Sequence, residues 1–143
     1  MSTVVDASVV VDALVVTAPA GDLARAELRG LAELQVPAIF SAEVTSALRR
    51  LVLLGTLSAV RASTALSSVM TMRAIQYPFE PFARRAWELR NTITVYDAWY
   101  VALAEQLGAE LVTLDKRLAD AQGPRCPIRC LGIEGRAPGR MLP

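Results

Sequence analysis

The stretch from Thr92 to Asp120, TITVYDAWYVALAEQLGAELVTLDKRLAD, decides the fold. Its apolar pattern predicts a helix that opens at Tyr96 and ends at Gly108, where glycine can adopt the left-handed conformation that caps a helix. The run from Leu111 to Leu114 predicts a short buried strand, because it is apolar without alternation. A second helix is predicted after Asp115. A carboxylate between a buried strand and a helix N-terminus is where α/β proteins usually place their chemistry.

The rest of the chain alternates short apolar runs with helical periodicities, which indicates an α/β fold with a short, mostly parallel sheet and about seven helices. We predict one domain over residues 1–131 and a loose tail, rich in Gly, Pro and Arg, over residues 132–143. The further predicted strands cover Thr3–Val5, Pro37–Phe40, Ile75–Tyr77 and Ile128–Leu131. The further predicted helices cover Leu23–Leu34, Ser41 to about Gly55, Ser58–Met72, and Glu80 or Pro81 to about Arg90.

The composition limits where the protein acts. Hydrophobic residues make up 53% of the chain and charged residues 20%, yet no apolar run reaches the roughly 18 residues needed to cross a bilayer. The N-terminus lacks the basic segment of a signal peptide. We therefore expect a cytoplasmic protein that does not enter membranes, and the apolar excess suggests a face that binds a partner.

The charged residues favour some functions over others. The net charge of +1 excludes a wholly basic domain, but fourteen of the fifteen basic residues are arginine, which suits phosphate contacts. A coding bias towards arginine explains this equally well. The absence of histidine excludes histidine catalysis and histidine metal sites. Cys126 and Cys130 fit neither a CxxC motif nor a four-ligand zinc site.

Four carboxylates occupy similar positions, at the ends of predicted strands or the starts of predicted helices. Asp6 ends the first strand, Glu43 opens the helix after the second, Asp97 opens a helix, and Asp115 follows a strand. Each has a structural explanation, because acids favour helix caps and first turns. The spacing from Thr94 to Asp97, for example, matches a capping box.

The carboxyl ends of parallel strands share one edge of a sheet, so we expect the four acids to meet there. Each pair at about 5 Å would cost roughly 3 kcal/mol at an effective dielectric near 20, and a bound divalent cation removes that repulsion. Oxygen-only ligands select Mg²⁺ or Mn²⁺. Such an ion supports hydrolysis of a phosphodiester without histidine.

Three segments, VVDAS, SAEVTSALRRL and YDAWYVALAEQLGAELVTLDKRLA, resemble PIN-domain ribonucleases, and more narrowly the VapC-type toxins of VapBC toxin–antitoxin systems. The resemblance extends to about Leu131. It implies a three-layer α/β/α PIN-like fold and RNA cleavage with Mg²⁺ or Mn²⁺. It further implies a homodimer and inhibition by a VapB-type antitoxin, often through a basic side chain that reaches the acidic pocket.

The resemblance also implies roles for individual residues. Catalysis would fall to Asp6, Glu43, Asp97 and Asp115, and metal binding to the three aspartates among them. Ser8 and Thr113 would orient a ligand or a metal-bound water. Possible contacts to RNA phosphates are the helix arginines Arg49, Arg50, Arg84, Arg85 and Arg90, although simple solvation is the usual meaning of such faces.

Other functions stay open or are disfavoured. A phosphohydrolase with an aspartyl nucleophile would have a second Asp where Ser8 stands, and the chain has neither a GxxxxGK[ST] loop nor a GxGxxG turn. The alternatives that remain are a PIN-like, non-catalytic protein-binding module and a PIN nuclease that processes RNA without an antitoxin.

Overall fold

The computed structural model describes residues 2–132. Its strands are Thr3–Val5 (β1), Leu34–Pro37 (β2), Ala74–Tyr77 (β3), Glu110–Thr113 (β4) and Ile128–Cys130 (β5). Its α-helices are Ala7–Val15 (α1), Ala20–Arg29 (α2), Phe40–Leu53 (α3), Ala59–Thr71 (α4), Ala83–Glu88 (α5), Val95–Leu107 (α6) and Lys116–Ala119 (α7), and a 3₁₀ turn covers Glu80–Phe82. The predicted tail from residue 133 onward lies outside the described residues.

The five strands form one sheet in the order β3-β2-β1-β4-β5, and every pairing is parallel. Strand β1 is central, with Val4 opposite Gln35 on one side and Leu111 on the other. The chain moves outward from β1 to β3 and then returns to the other side of β1 at β4. This reversal creates a switch point between β1 and β4, where open α/β sheets bind their ligands.

Helices cover both faces of the sheet. Val5 and Val112 face the core shared with α1–α4, whereas their neighbours Val4 and Leu111 face the core shared with α5 and α6. Successive strand residues point to opposite faces, so each short strand contributes to two cores. The predicted three-layer α/β/α architecture is confirmed.

Helix α6 contains a continuous run of seven buried residues. Every residue from Ala98 to Ala104 is buried, as expected for a helix that packs on more than one side. Thr94 caps its start by accepting a hydrogen bond from the Asp97 amide at 3.1 Å. Gly108 ends it with φ of +61°, so the predicted glycine cap is confirmed.

The predicted boundaries shift in several places. The second strand was predicted three residues too late, because Leu34 and Val36 fill the core and helix α2 already ends before Gly30. Helix α3 begins at Phe40 without a side-chain cap from Ser41. Among the described residues, no helix is long and apolar enough to cross a membrane.

Candidate active site

The four predicted acids stand at the carboxyl edge of the sheet and at helix N-termini. Asp6 directly follows β1, and Asp115 lies two residues after the adjacent strand β4. Glu43 and Asp97 occupy the first turns of α3 and α6. The charge of Asp6 acts on both Glu43 and Asp97, and the charge of Asp115 acts on Asp97. The fold thus joins the four carboxylates into one electrostatic cluster, which we call the acidic cluster.

Asp6 is the buried member of the acidic cluster, with 9% of its surface exposed. It holds the N-cap position of α1, but its side chain makes no cap hydrogen bond. Its Oδ2 instead accepts hydrogen bonds from Ser8 Oγ at 2.9 Å and Thr113 Oγ1 at 2.7 Å. Helix capping therefore does not explain this aspartate. The residues expected to orient a ligand at Asp6 do contact it.

The same two hydroxyls fasten Asp6 to the loop after β4. Thr113 Oγ1 accepts a hydrogen bond from the Asp115 amide at 3.0 Å, and Ser8 Oγ accepts one from the Leu114 amide at 3.3 Å. Each hydroxyl both donates and accepts, so the carboxylate and the neighbouring backbone are satisfied together. The position of Asp6 is consequently fixed relative to the loop that carries Asp115.

Glu43 is held by a residue that the sequence interpretation missed. Tyr100 is fully buried in α6, and its hydroxyl donates to Glu43 Oε1 at 2.7 Å. Burial raises the pKa of Glu43, the charges of Asp6 and Asp97 raise it further, and the Tyr100 hydrogen bond opposes them. Tyr100 follows Asp97 by three residues, so helical spacing already placed both on one side of the helix.

Asp97 faces an open cleft of about 440 Å³. Burial raises the pKa of Asp97, and the charge of Asp6 raises it further. A hydrogen bond from Thr94 lowers it. The charge of Asp115 raises the pKa slightly, and the charge of Arg117 lowers it slightly. The residues that line the cleft belong to the α5–α6 loop and the starts of α6 and α7: Arg90, Asn91, Thr92, Ile93, Thr94, Asp97, Asp115, Arg117 and Leu118.

Asp115 has two roles in the structure. Its Oδ1 accepts a hydrogen bond from the Arg117 amide at 2.9 Å, so Asp115 caps the short helix α7. This agrees with the structural explanation that acids favour helix caps. It also lines the cleft beside Asp97. This bond and the ion pair with the Arg117 guanidinium both use Oδ1, so Oδ2 can accept further bonds.

Two arginines border the cleft. Arg90 was predicted as a phosphate contact; its guanidinium lies 4.5 Å from the Trp87 ring centroid and donates to the Trp87 carbonyl at 2.8 Å. Arg117 was not singled out from the sequence, although its side chain is 94% exposed and lies 3.6 Å from Asp115. Arg117 follows the TLDK motif directly, and this position could have identified it from the sequence as a residue near Asp115.

The other predicted arginines lie elsewhere. Arg85 donates to both carboxylate oxygens of Glu105, at 2.8 and 3.0 Å, and to the Gly123 carbonyl at 2.8 Å. Its guanidinium thereby holds α5 against α6, and its contact to RNA stays a prediction. Arg49, Arg50 and Arg84 are exposed and do not line the cleft of Asp97.

The donor set of the acidic cluster suits a hard cation. Its side chains offer carboxylate oxygen, with the hydroxyls of Ser8 and Thr113 beside them, and the chain has no histidine. Within residues 2–132, Cys126 and Cys130 form no disulfide. As placed, no three His, Cys, Asp or Glu side chains within residues 2–132 stand close enough to hold an ion together. A cation bound at this edge would offset the repulsion between the carboxylates.

Known proteins match this chain over most of its length. The family profile of the PIN domain matches residues 3–124. Ribonuclease VapC1 of Mycobacterium tuberculosis is 44% identical over 131 residues, which are 88% of this chain and 95% of that protein.

Two solved structures share the fold. PAE2754 from Pyrobaculum aerophilum has a TM-score of 0.67 and 24% identity, over 90% of this chain and 83% of that one. VapBC2 from Rickettsia felis, in a structure bound to a DNA fragment from its promoter, has a TM-score of 0.63 and 18% identity. The match covers 91% of this chain and 98% of that one.

Proposed function

The chain belongs to the PIN-domain family and, within it, to the VapC ribonucleases, and we propose that it hydrolyses RNA phosphodiester bonds with a water activated by Mg²⁺ or Mn²⁺ at the acidic cluster. The observation that carries the proposal is the placement of Asp6, Glu43 and Asp97 at one edge of the sheet, where burial, and then the repulsion between their charges, raises the pKa values of Glu43 and Asp97. A fold that only needed helix caps has no reason to gather these charges at its switch point.

Three aspartates would hold the ion. Asp6 is fixed by two hydroxyls, and Asp97 and Asp115 line the open cleft. When bound, such an ion polarises a water and stabilises negative charge on the scissile phosphate and the leaving oxygen. Ser8 and Thr113 keep Asp6 oriented for this role by donating to Oδ2.

Glu43 supports proton transfer. Its raised pKa makes it a better proton acceptor than an ordinary surface glutamate. We propose that its carboxylate takes the proton of the attacking water, while Tyr100 keeps one of its oxygens engaged.

The substrate would lie along the cleft. Arg90 and Arg117 border Asp97 and Asp115 and are placed to contact phosphates on either side of the cleaved bond. We propose Arg49, Arg50 and Arg84, which are exposed outside this cleft, as contacts to more distant phosphates. We also propose that the protein acts in the cytoplasm, where this RNA substrate would be.

We further propose two protein partners, a VapB-type antitoxin and a second copy of the chain. The family resemblance supports both. The apolar surface supports the need for a partner, because Leu53, Leu54 and Val60 near the α3–α4 turn are exposed large hydrophobic residues. We propose that a basic side chain of the antitoxin neutralises the acidic cluster.

The test is cleavage of a cellular RNA pool by the purified protein with Mg²⁺, with Mn²⁺ and with EDTA. Asp97→Asn is the test variant, and Asp120→Asn is its control, because Asp120 is an exposed acid directly after α7 that pairs with Lys116 outside the cluster. We expect discrete fragments with either metal, none with EDTA, and none with Asp97→Asn.

Cleavage that persists in EDTA and in Asp97→Asn would contradict the metal site. Folded protein that neither cleaves RNA nor binds Mn²⁺ would support the alternative of a non-catalytic binding module. Metal-dependent cleavage that a co-expressed antitoxin candidate leaves unaffected would favour RNA processing without an antitoxin.

A further inference from the structure

Tyr100 brings a hydroxyl into a core that is otherwise apolar. Its neighbours in α6 from Ala98 to Ala104 are buried and, apart from the Trp99 indole, aliphatic. A phenylalanine would fill the same volume without the cost of burying a polar group. Packing therefore accounts for the ring of Tyr100 and not for its oxygen.

That oxygen connects two parts of the acidic cluster. The hydroxyl donates to Glu43 Oε1 at 2.7 Å, a length typical of a bond to a charged acceptor. The phenol also lies close enough to Ala7, and to the neighbouring Asp6, for both residues to act on its pKa. Tyr100 thus bonds to Glu43 of α3 and lies near the first turn of α1, from a position one helical turn after Asp97.

We infer that Tyr100 is a positioning residue that holds the Glu43 carboxylate towards Asp6 and so sets the geometry of the acidic cluster. The inference deepens the proposed function and depends on it for the identity of the reaction. Burial and the nearby charges of Glu43 and Asp6 raise the pKa of the phenol, so the hydroxyl keeps its proton at neutral pH and acts as a constant donor. Without it, Glu43 is free to rotate towards solvent and away from the cluster.

The experiment compares Tyr100→Phe with Tyr77→Phe. Tyr77 is a matched control, because its hydroxyl also makes one short bond to a side chain, to Gln35 Oε1 at 2.6 Å, and that partner is not in the acidic cluster. Both variants are measured by circular dichroism, by calorimetric titration with Mn²⁺ alone, and by steady-state cleavage of an RNA oligonucleotide taken from a mapped site.

For Tyr100→Phe we expect kcat to fall roughly 10-fold or more, since a hydrogen bond to a charged group is lost. We expect KM for RNA to stay within about two-fold, because the substrate contacts are intact. We expect the Mn²⁺ dissociation constant to rise roughly five-fold, because a carboxylate leaves the cluster. Tyr77→Phe should match wild type in all three values.

A Glu43→Gln background provides the decisive readout. If Tyr100 acts through Glu43, Tyr100→Phe should change kcat less than about two-fold there, because the bond it supports is already weakened. A full additional loss in that background would overturn the inference, as would identical kcat and Mn²⁺ affinity for Tyr100→Phe and Tyr77→Phe.

Failure of the inference and failure of the proposed function give different results. Wild-type protein that cleaves RNA while Tyr100→Phe cleaves equally well refutes only the positioning role. Wild-type protein that binds Mn²⁺ more tightly than Tyr100→Phe but cleaves no RNA supports the positioning role and contradicts the ribonuclease. Absence of both Mn²⁺ binding and cleavage in wild type contradicts both.

Discussion

Thr113→Val should destabilise the protein through one lost hydroxyl. Thr113 is completely buried, and its hydroxyl donates to Asp6 Oδ2 at 2.7 Å and accepts from the Asp115 amide at 3.0 Å. Valine keeps the β-branched shape and the volume, so the change creates neither a cavity nor strain. The effect therefore isolates the polar contacts of the acidic cluster.

The magnitude follows from those two bonds. A hydrogen bond to a charged acceptor contributes about 1.5–3 kcal/mol and a neutral one about 0.5–1.5 kcal/mol, with little compensation from water at a buried site. We expect Thr113→Val to lower the free energy of unfolding by roughly 2–4 kcal/mol. Loss of the anchor at Asp6 should also lower metal affinity.

Urea denaturation in EDTA, followed by circular dichroism, measures the loss directly. Thr3→Val is the control, since it makes the same change in β1 at the end of the strand away from the acids. The control should stay within about 0.5 kcal/mol of wild type. Equal stability of the two variants would refute the role of Thr113 as the anchor of Asp6.

Three further predictions concern charged side chains that differ in burial. The folded-state pKa of Asp97 is raised from 3.8, chiefly by burial, so the folded protein loses stability as pH rises from about 3.8 through that raised pKa. Asp97→Asn should therefore make the metal-free protein more stable than wild type at pH 7, and urea titrations below pH 3.8 should show the difference vanish. Glu105→Gln should cost about 1–3 kcal/mol in thermal or urea unfolding by weakening the largely buried pair with Arg85, without changing kcat. Arg90→Ala should raise KM for RNA and reduce the slope of log affinity against log salt by about one in a salt titration, as expected for one lost phosphate contact; an unchanged slope would remove Arg90 from the interface.

The sequence was sufficient to predict the positions of the four acids, because strand ends and helix starts are local features. Asp6 follows an apolar run of three residues, and Asp97 lies three residues after the capping Thr94. A parallel sheet then brings such ends to one edge whatever the details of packing. The layered architecture follows from the same pattern.

The contacts that organise the cluster were harder to predict, because they join residues far apart in the chain. The partner of Glu43 is Tyr100, 57 residues away. Thr113, which lies 107 residues from its partner Asp6, was named only by the family resemblance and not by local spacing. From its spacing alone, Tyr100 is interpreted only as a core residue of an apolar helix. Similarly, Arg85 looked like an available cation until the fold placed Glu105 against it.

The second strand shows a different limit. The leucines up to Leu34 continue the helical spacing of α2, so periodicity extended the helix across Gly30. The run from Leu34 to Pro37 pairs with β3 residue by residue, which decides its conformation through backbone hydrogen bonds to a distant strand. Such pairing overrides a local helical pattern.

Calorimetric titration of metal-free protein with Mn²⁺ tests the central claim, that the acidic cluster is a cation site, most directly. Wild type and Asp120→Asn should give the same saturable isotherm, and Asp97→Asn should bind at least about ten-fold more weakly, since one charged ligand is lost. Identical isotherms for wild type and Asp97→Asn would contradict the account and leave Asp97 as a first-turn acid of α6.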